Sequence, residues 1–259
     1  MIRKIGTIVS IAALAFMFLA VSSPALAASV LDKRVIIVGT EGTYPPFEYY
    51  DENNVLTGFD VEMMYLIGEK MGREIEFVDM AFDGLIPALL TNKIDLIAAA
   101  MNATAERSRV VDFSDVYQIA DGALLVRTGD YSMNSPADLN GKAIGVQLGT
   151  TEDVYLTDSG LGADIRRYQR VNDAVRELIL DRIDGVLLDT PVANGYLESD
   201  RFEGYLKIAF KEMINDEEEG FSLALRKNDS AFLDALNNAL RELDESSELG
   251  ALKDKYRLR

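Results

Sequence analysis

Ile94-Asp95-Leu96-Ile97-Ala98-Ala99-Ala100-Met101-Asn102-Ala103-Thr104-Ala105-Glu106-Arg107 changes character halfway along, and the change decides how the rest of the chain is read. Residues 94–101 are a short, nearly continuous apolar run behind the turn-like Thr91-Asn92-Lys93, which predicts a strand buried on both faces of a parallel sheet. The run ends in Ala98, Ala99 and Ala100, side chains small enough either to let another molecule reach the backbone or to pack tightly against a helix. Thr104 then predicts an N-cap, with Ala105, Glu106 and Arg107 in the first turn of a helix. A guanidinium there opposes a helix dipole of about +0.5 charge unless an anion shares the site; the alternative is an Arg turned back into solvent.

The same order of features returns downstream. Helix, turn, Ile-Asp and buried strand occur at Leu89–Ala100 and again at Ile179–Asp189, a pseudo-repeat that predicts two lobes of similar build. Around the first copy, Val35–Thr40 predicts a strand and Glu41 to Phe47 a stiff loop holding a carboxylate and two aromatics. Asp60 predicts the cap of a helix with Val61, Met64, Ile67 and Met71 on one face, closed by Gly72. Glu74–Val78 reads as a strand and Phe82–Leu90 as a helix. Around the second copy, Ala123–Arg127 reads as extended, 129–140 as loop, and Ala143–Gln147 as a strand followed by a helix for which Thr150 and Asp153 resemble a capping box. Asn172–Leu180 reads as an amphipathic helix, and a further helix with Pro191 at its first position comes after Asp189. Phe221–Leu225 is another extended run, and 231–256 is mostly charged amphipathic helix. Alternating strands and helices imply an α/β fold with a parallel sheet, whose binding loops lie beyond strand ends.

Composition narrows the function classes. Arg3 and Lys4, an apolar stretch from about Ile8 to Val21, and Ala25-Leu26-Ala27 predict a signal peptide over 1–27, hence an exported, periplasmic protein. No later segment approaches the ~20 apolar residues of a membrane span, which disfavours a membrane-anchored sensor. Cys and His are both absent, which removes disulfides, thiolate nucleophiles, His-containing triads and the usual zinc sites. A formal charge of −17 makes nucleic acid an improbable partner.

Glu41-Gly42-Thr43-Tyr44-Pro45-Pro46-Phe47-Glu48, Gly58-Phe59-Asp60-Val61, Phe82-Asp83-Gly84-Leu85-Ile86-Pro87-Ala88-Leu89, Thr104 with Glu106-Arg107, Asp112-Phe113-Ser114, and Ile183-Asp184 through Asp189-Thr190-Pro191 together resemble the family 3 extracellular solute-binding proteins, across nearly all of the chain after the signal peptide and in the right order. The resemblance implies a type II periplasmic binding protein of two α/β lobes, the first from 28–119 plus 219–259 and the second from 120–218, with the ligand in the cleft between them. It implies the substrate-binding component of an ABC importer: a monomer that presents a polar amino acid to a permease, without cofactor or metal. By that likeness Arg107 takes the ligand's α-carboxylate, helped by backbone near Ala100 and Asn102 and by Thr151, and Asp189 takes the α-ammonium. Tyr44 and Phe82 flank the side chain, and Glu41 faces its tip, which favours a basic ligand over an apolar one. Asn102 departs from the Ser or Thr often found there. Cyclohexadienyl dehydratases resemble the same scaffold, which keeps an enzyme open, with Glu152 as general acid or, alternatively, simply a first-turn Glu favourable to its helix dipole.

Overall fold

The computed structural model describes residues 29–214 and 220–258; the expected signal peptide lies outside them. Two five-stranded sheets divide the chain. The first runs β5 (Glu74–Asp79), β1 (Val35–Thr40), β6 (Leu96–Ile97), β13 (Ala224–Arg226) and β7 (Val111–Phe113). The second runs β10 (Asp164–Tyr168), β9 (Ala143–Gln147), β11 (Gly185–Asp189), β8 (Gly122–Arg127) and β12 (Leu206–Glu212). Helices α1 (Phe59–Met71), α2 (Leu85–Leu90), α6 (Ser230–Glu245) and α7 (Glu248–Lys255) belong with the first sheet, and α3 (Thr151–Asp158), α4 (Val171–Ile179) and α5 (Thr190–Glu198) with the second. A small antiparallel sheet of β2 (Thr43–Tyr44), β3 (Glu48–Tyr50) and β4 (Leu56–Thr57) stands where the sequence suggested only a stiff loop.

The chain leaves the first sheet between Phe113 and Gly122 and returns to it between Glu212 and Ala224. The two crossings bond to each other, Phe221 N–H to Gln118 O at 2.7 Å and Tyr117 N–H to Phe221 O at 2.9 Å. They also explain why the sheets are mixed rather than purely parallel. The β1/β5, β1/β6, β9/β10 and β9/β11 pairs are parallel, as alternating strand and helix requires, but the strands beside the crossings, β13 and β8, run antiparallel to their neighbours.

Three local expectations need correction. Every residue of 94–101 is buried, yet only Leu96–Ile97 forms strand, because Ala100 takes a left-handed φ of 44° and turns the chain out of the sheet. Asp60 does not cap α1, since Gly58 holds the N-cap position. The Asp60 carboxylate turns inward and accepts from Ala100 N–H at 2.8 Å and Tyr117 O–H at 2.7 Å. Thr104 accepts from Arg107 N–H at 3.3 Å, but in place of a helix the chain makes a single 3-10 turn, Arg107–Arg109, and runs directly into β7. That turn is too short to build the dipole that made a cation there look misplaced. Elsewhere the expected elements appear with shifts: 129–140 holds a 3-10 turn at Pro136–Leu139, Pro191 takes the second position of its helix, Phe221–Leu225 is strand only from Ala224, and Gly72 closes α1 in the left-handed region at φ 64°.

The pseudo-repeat is real in three dimensions. Asn92 and Asp181 both turn at φ 59°. Asp95 exchanges two bonds with Ile37, N–H to O at 2.7 Å and N–H to carboxylate at 3.2 Å; Asp184 does the same with Ala143 at 2.7 and 2.8 Å. Arg226 donates to Leu89 O and Ile94 O, and Arg127 donates to Leu178 O and Ile183 O. The guanidiniums also pair with Asp95 and Asp181 respectively.

Candidate functional site

The ends of β1, β6, β9 and β11 converge on a narrow chamber lined by Glu41, Tyr44, Glu48, Phe82, Ala99, Ala100, Asn102, Arg107, Gln147, Thr150, Glu152 and Asp189. Seven of the eight residues picked from sequence are in this wall. Thr151, the eighth, lies just behind it, its hydroxyl 3.4 Å from both Asn102 Oδ1 and Glu152 Oε2.

Asp189 ends β11 at the N-cap position of α5, where an Asp side chain ordinarily caps the helix. It does not cap here. One carboxylate oxygen accepts from Tyr44 O–H at 2.6 Å, and the other finds no N–H or hydroxyl donor and lies in the company of the Glu152 carboxyl. Burial, reinforced by the neighbouring Glu152 charge, pushes its carboxyl well above the usual range, and burial raises Glu152 as well. Glu48 belongs to the same group. Quoted within the motif but given no role, it is buried in the wall, lifted by desolvation and then by the charges of Asp60, Glu41 and Asp189, and one of its oxygens also lacks a donor. Glu152 contributes a third such oxygen.

Arg107 faces these acids. Nη1 donates to Asn102 O at 2.8 Å and Nη2 crosses to Gly149 O at 2.9 Å, while the guanidinium lies over the Phe82 ring, 5.3 Å from its centroid. Phe82 therefore steadies Arg107 from below, a task its sequence position did not suggest. Backbone carbonyls and an aromatic face hold the planar fork in the chamber wall, where its charge lowers the carboxyls of Glu152 and Asp189 against the effect of burial.

Glu41, 1% exposed, accepts from Thr43 Oγ1 at 2.8 and 2.9 Å, from Gln147 Nε2 at 3.0 Å and from Arg170 Nη1 at 2.8 Å. Burial still raises its carboxyl above the ordinary value, outweighing the donors. Gln147 and Arg170 were both missed. Gln147 could have been found, because it ends a strand where binding loops begin; Arg170 sits in a polar run after β10 with no local signal at all. Further contacts between the lobes are Arg170 Nη2 to Asp79 at 3.0 Å and Tyr196 O–H to Thr43 O at 2.9 Å. Gly195 lies so near Pro45 that a Cβ there would be 2.8 Å from its carbonyl oxygen.

A chamber lined by four carboxyl groups, one of them already paired with Arg170, and with the Arg107 guanidinium opposite, suits a small ligand that carries both signs of charge. Among the described residues no group of acids is arranged to hold a metal ion, and no helix is long and apolar enough to cross a membrane.

The arginine-binding extracellular protein ArtP of Bacillus subtilis (strain 168) is 38% identical over 227 residues, covering 86% of each chain. The solved structure of an ancestral arginine-binding protein bound to arginine matches with a TM-score of 0.82 at 36% identity, covering 86% of this chain and 98% of that one. That of the ancestral amino acid-binding protein AncCDT-1, a precursor of cyclohexadienyl dehydratase, matches with a TM-score of 0.79 at 32% identity, covering 90% and 100%. The model of one family spans residues 36–259, which includes both sheets and every wall of the chamber. The chain belongs to the bacterial extracellular solute-binding proteins, family 3.

Proposed function

We propose that the protein is the periplasmic substrate-binding component of an ABC amino-acid importer, and that it takes a polar, preferentially basic, L-amino acid between its lobes. One observation carries this reading: Glu48, Glu152 and Asp189, the last two bonded to one another, each bring a buried oxygen without an N–H or hydroxyl donor to a chamber whose opposite wall is Arg107. Donors from a ligand cation satisfy such oxygens, and a planar carboxylate suits the Arg107 fork. Arg107 then takes the α-carboxylate with Ala100, Asn102 and Thr151 nearby, Asp189 takes the α-ammonium, Tyr44 and Phe82 shape the walls, and Glu41 stands at the tip. The division of strands between two sheets supports lobe boundaries at 28–119 plus 219–259 and at 120–218. Contacts from both lobes to one ligand favour the joined form, the shape offered to a permease. The signal peptide over 1–27 directs export, and the chain works as a monomer without a cofactor.

A calorimetric and thermal-shift panel tests the reading. Arginine or lysine is expected to bind and raise the melting temperature, by about 2.7 kcal/mol of stability at 100 times the dissociation constant. Leucine, valine and phenylalanine are expected to do neither. Apolar amino acids binding as well as basic ones would overturn it.

Buried Glu152 beside Asp189 gives a second reading its footing, a dehydratase with Glu152 as general acid. Incubation with arogenate and prephenate decides: turnover that vanishes in Glu152→Gln replaces the transport function, and no turnover removes the enzyme.

A further inference from the structure

Glu41 and its surroundings carry more than the general reading gives them. A carboxylate offers about four acceptor positions. Three donors already meet Glu41: the Thr43 hydroxyl shared between its oxygens, Gln147 on Oε2, and the Arg170 guanidinium on Oε1 at 2.8 Å. Glu41 and Thr43 precede the crossing into the second sheet, whereas Gln147 and Arg170 come from strands and turns of that sheet. Glu41 is thus engaged in both charge and hydrogen bonding by the protein's own cation, reaching over from the opposite lobe. A lysine ammonium or arginine guanidinium brought to Glu41 would find a second positive charge beside it, in a site dry enough for like charges to repel strongly.

Arg170 can give way. Its side chain is 30% exposed, against 1% for Glu41, and its other terminal nitrogen rests on Asp79 at 3.0 Å, on the outer side of the pair. Letting go of Glu41 leaves that second ion pair and solvent to receive the charge.

We propose that Arg170 is a specificity-determining residue of the ligand chamber: a resident guanidinium seated on Glu41 that a cationic ligand side chain must displace and a neutral polar one leaves in place. The proposal rests on the amino-acid-binding reading above and refines it. Selectivity then depends on a competition between two cations for one buried acid, so a basic ligand is bound less tightly, relative to a neutral polar one, than Glu41 alone would dictate.

The test is calorimetric titration of arginine and of glutamine into the wild type, Arg170→Met, Glu41→Gln and the double variant. Arg170→Met is expected to raise the arginine-to-glutamine affinity ratio at least tenfold, and the same change in the Glu41→Gln background is expected to leave the ratio where it is. A ratio unchanged by Arg170→Met, or a parallel loss of both affinities, overturns the proposal and makes Arg170 merely a bridge between lobes. Should Arg170→Met lack the wild-type circular dichroism, Arg170→Gln is read by the same criteria. A wild type that binds neither amino acid, nor any other in the panel, sinks the amino-acid-binding reading itself and this inference with it; wild-type binding with an unmoved ratio sinks this inference alone.

Discussion

The stretch from Leu89 to Ala100 and the stretch from Leu178 to Asp189 are built alike through the turn and the Ile-Asp pair, and diverge in strand length, two residues at Leu96–Ile97 against five at Gly185–Asp189, and in their last residue. Each has a left-handed turn, an Ile-Asp pair that trades two hydrogen bonds with the neighbouring strand, and an arginine from an antiparallel strand holding two carbonyls. At the final position the copies part. Ala100 leaves its strand at φ 44° with its N–H tied to Asp60, whereas Asp189 stays at φ −62° and turns a carboxylate into the chamber. Everything the sheet needs is duplicated, and what differs is what a ligand would meet: backbone and space on one side, an acid on the other.

The comparison breaks most severely at Asp189. Asp189→Ala, which gives the second copy the ending of the first, is expected to weaken amino-acid binding by two to three orders of magnitude, as loss of one partner from a desolvated pair costs about 3–5 kcal/mol. Calorimetry reads this directly, and affinity within tenfold of wild type would show that the two strand ends are not functionally distinct. The effect of Arg127→Met set against Arg226→Met sharpens the shared half. Each substitution leaves two carbonyls without their charged donor, while Asp95 keeps Lys33 and Asp181 faces solvent, so each is expected to cost about 2–3 kcal/mol in urea unfolding. Unequal losses would show that the two arginines do not carry equal loads.

A pH-dependent effect of similar size concerns Asp60, which holds the Ala100 end of the first copy. Burial lifts its carboxyl from the ordinary 3.8 to about 7, against the lowering influence of its bonds from Ala100 and Tyr117. Between those values the folded protein keeps a proton that the unfolded chain has lost. Asp60 therefore contributes stability at low pH that disappears as pH rises through about 7, with a slope of up to ~1.4 kcal/mol per pH unit. Unfolding free energies at pH 5 and 8 for wild type and Asp60→Asn check it, and an equal slope in the variant would clear Asp60 of the role.

Much of this was readable before any coordinates. Apolar runs such as Val35–Thr40 and Ala143–Gln147 announce strands because the inner positions of a sheet must be filled with such side chains, and the second half of the repeat showed itself by the order of its features. What could not be read depended on distant partners. Asp164–Tyr168 carries Arg166 and Arg167 on a largely exposed edge strand, so its sequence lacks the apolar signature of a core strand. Leu206–Glu212, the opposite edge, does alternate Leu206, Ile208 and Phe210 with Lys207, Ala209 and Lys211, a strand signal that went unread. Residues that would serve a ligand were legible as a set through the family motifs, but their internal pairings were not. That Tyr44 bonds Asp189, that Phe82 underlies Arg107, and that Arg170 sits on Glu41 are facts about which chain segments meet, and no local pattern encodes them.

Gly195 against Pro45 gives the cleft a dimension. With no side chain on α5 at that point, the helix rests on a main-chain carbonyl of the facing loop, and a methyl group would already intrude at 2.8 Å. Backbone on backbone is a hard stop, far less compressible than two side chains that can change rotamer. In the binding mode proposed above, the joined lobes would work as a fixed-gauge caliper: the width of the closed jaws is machined into the main chain, and a molecule is judged by whether it lets them reach that setting.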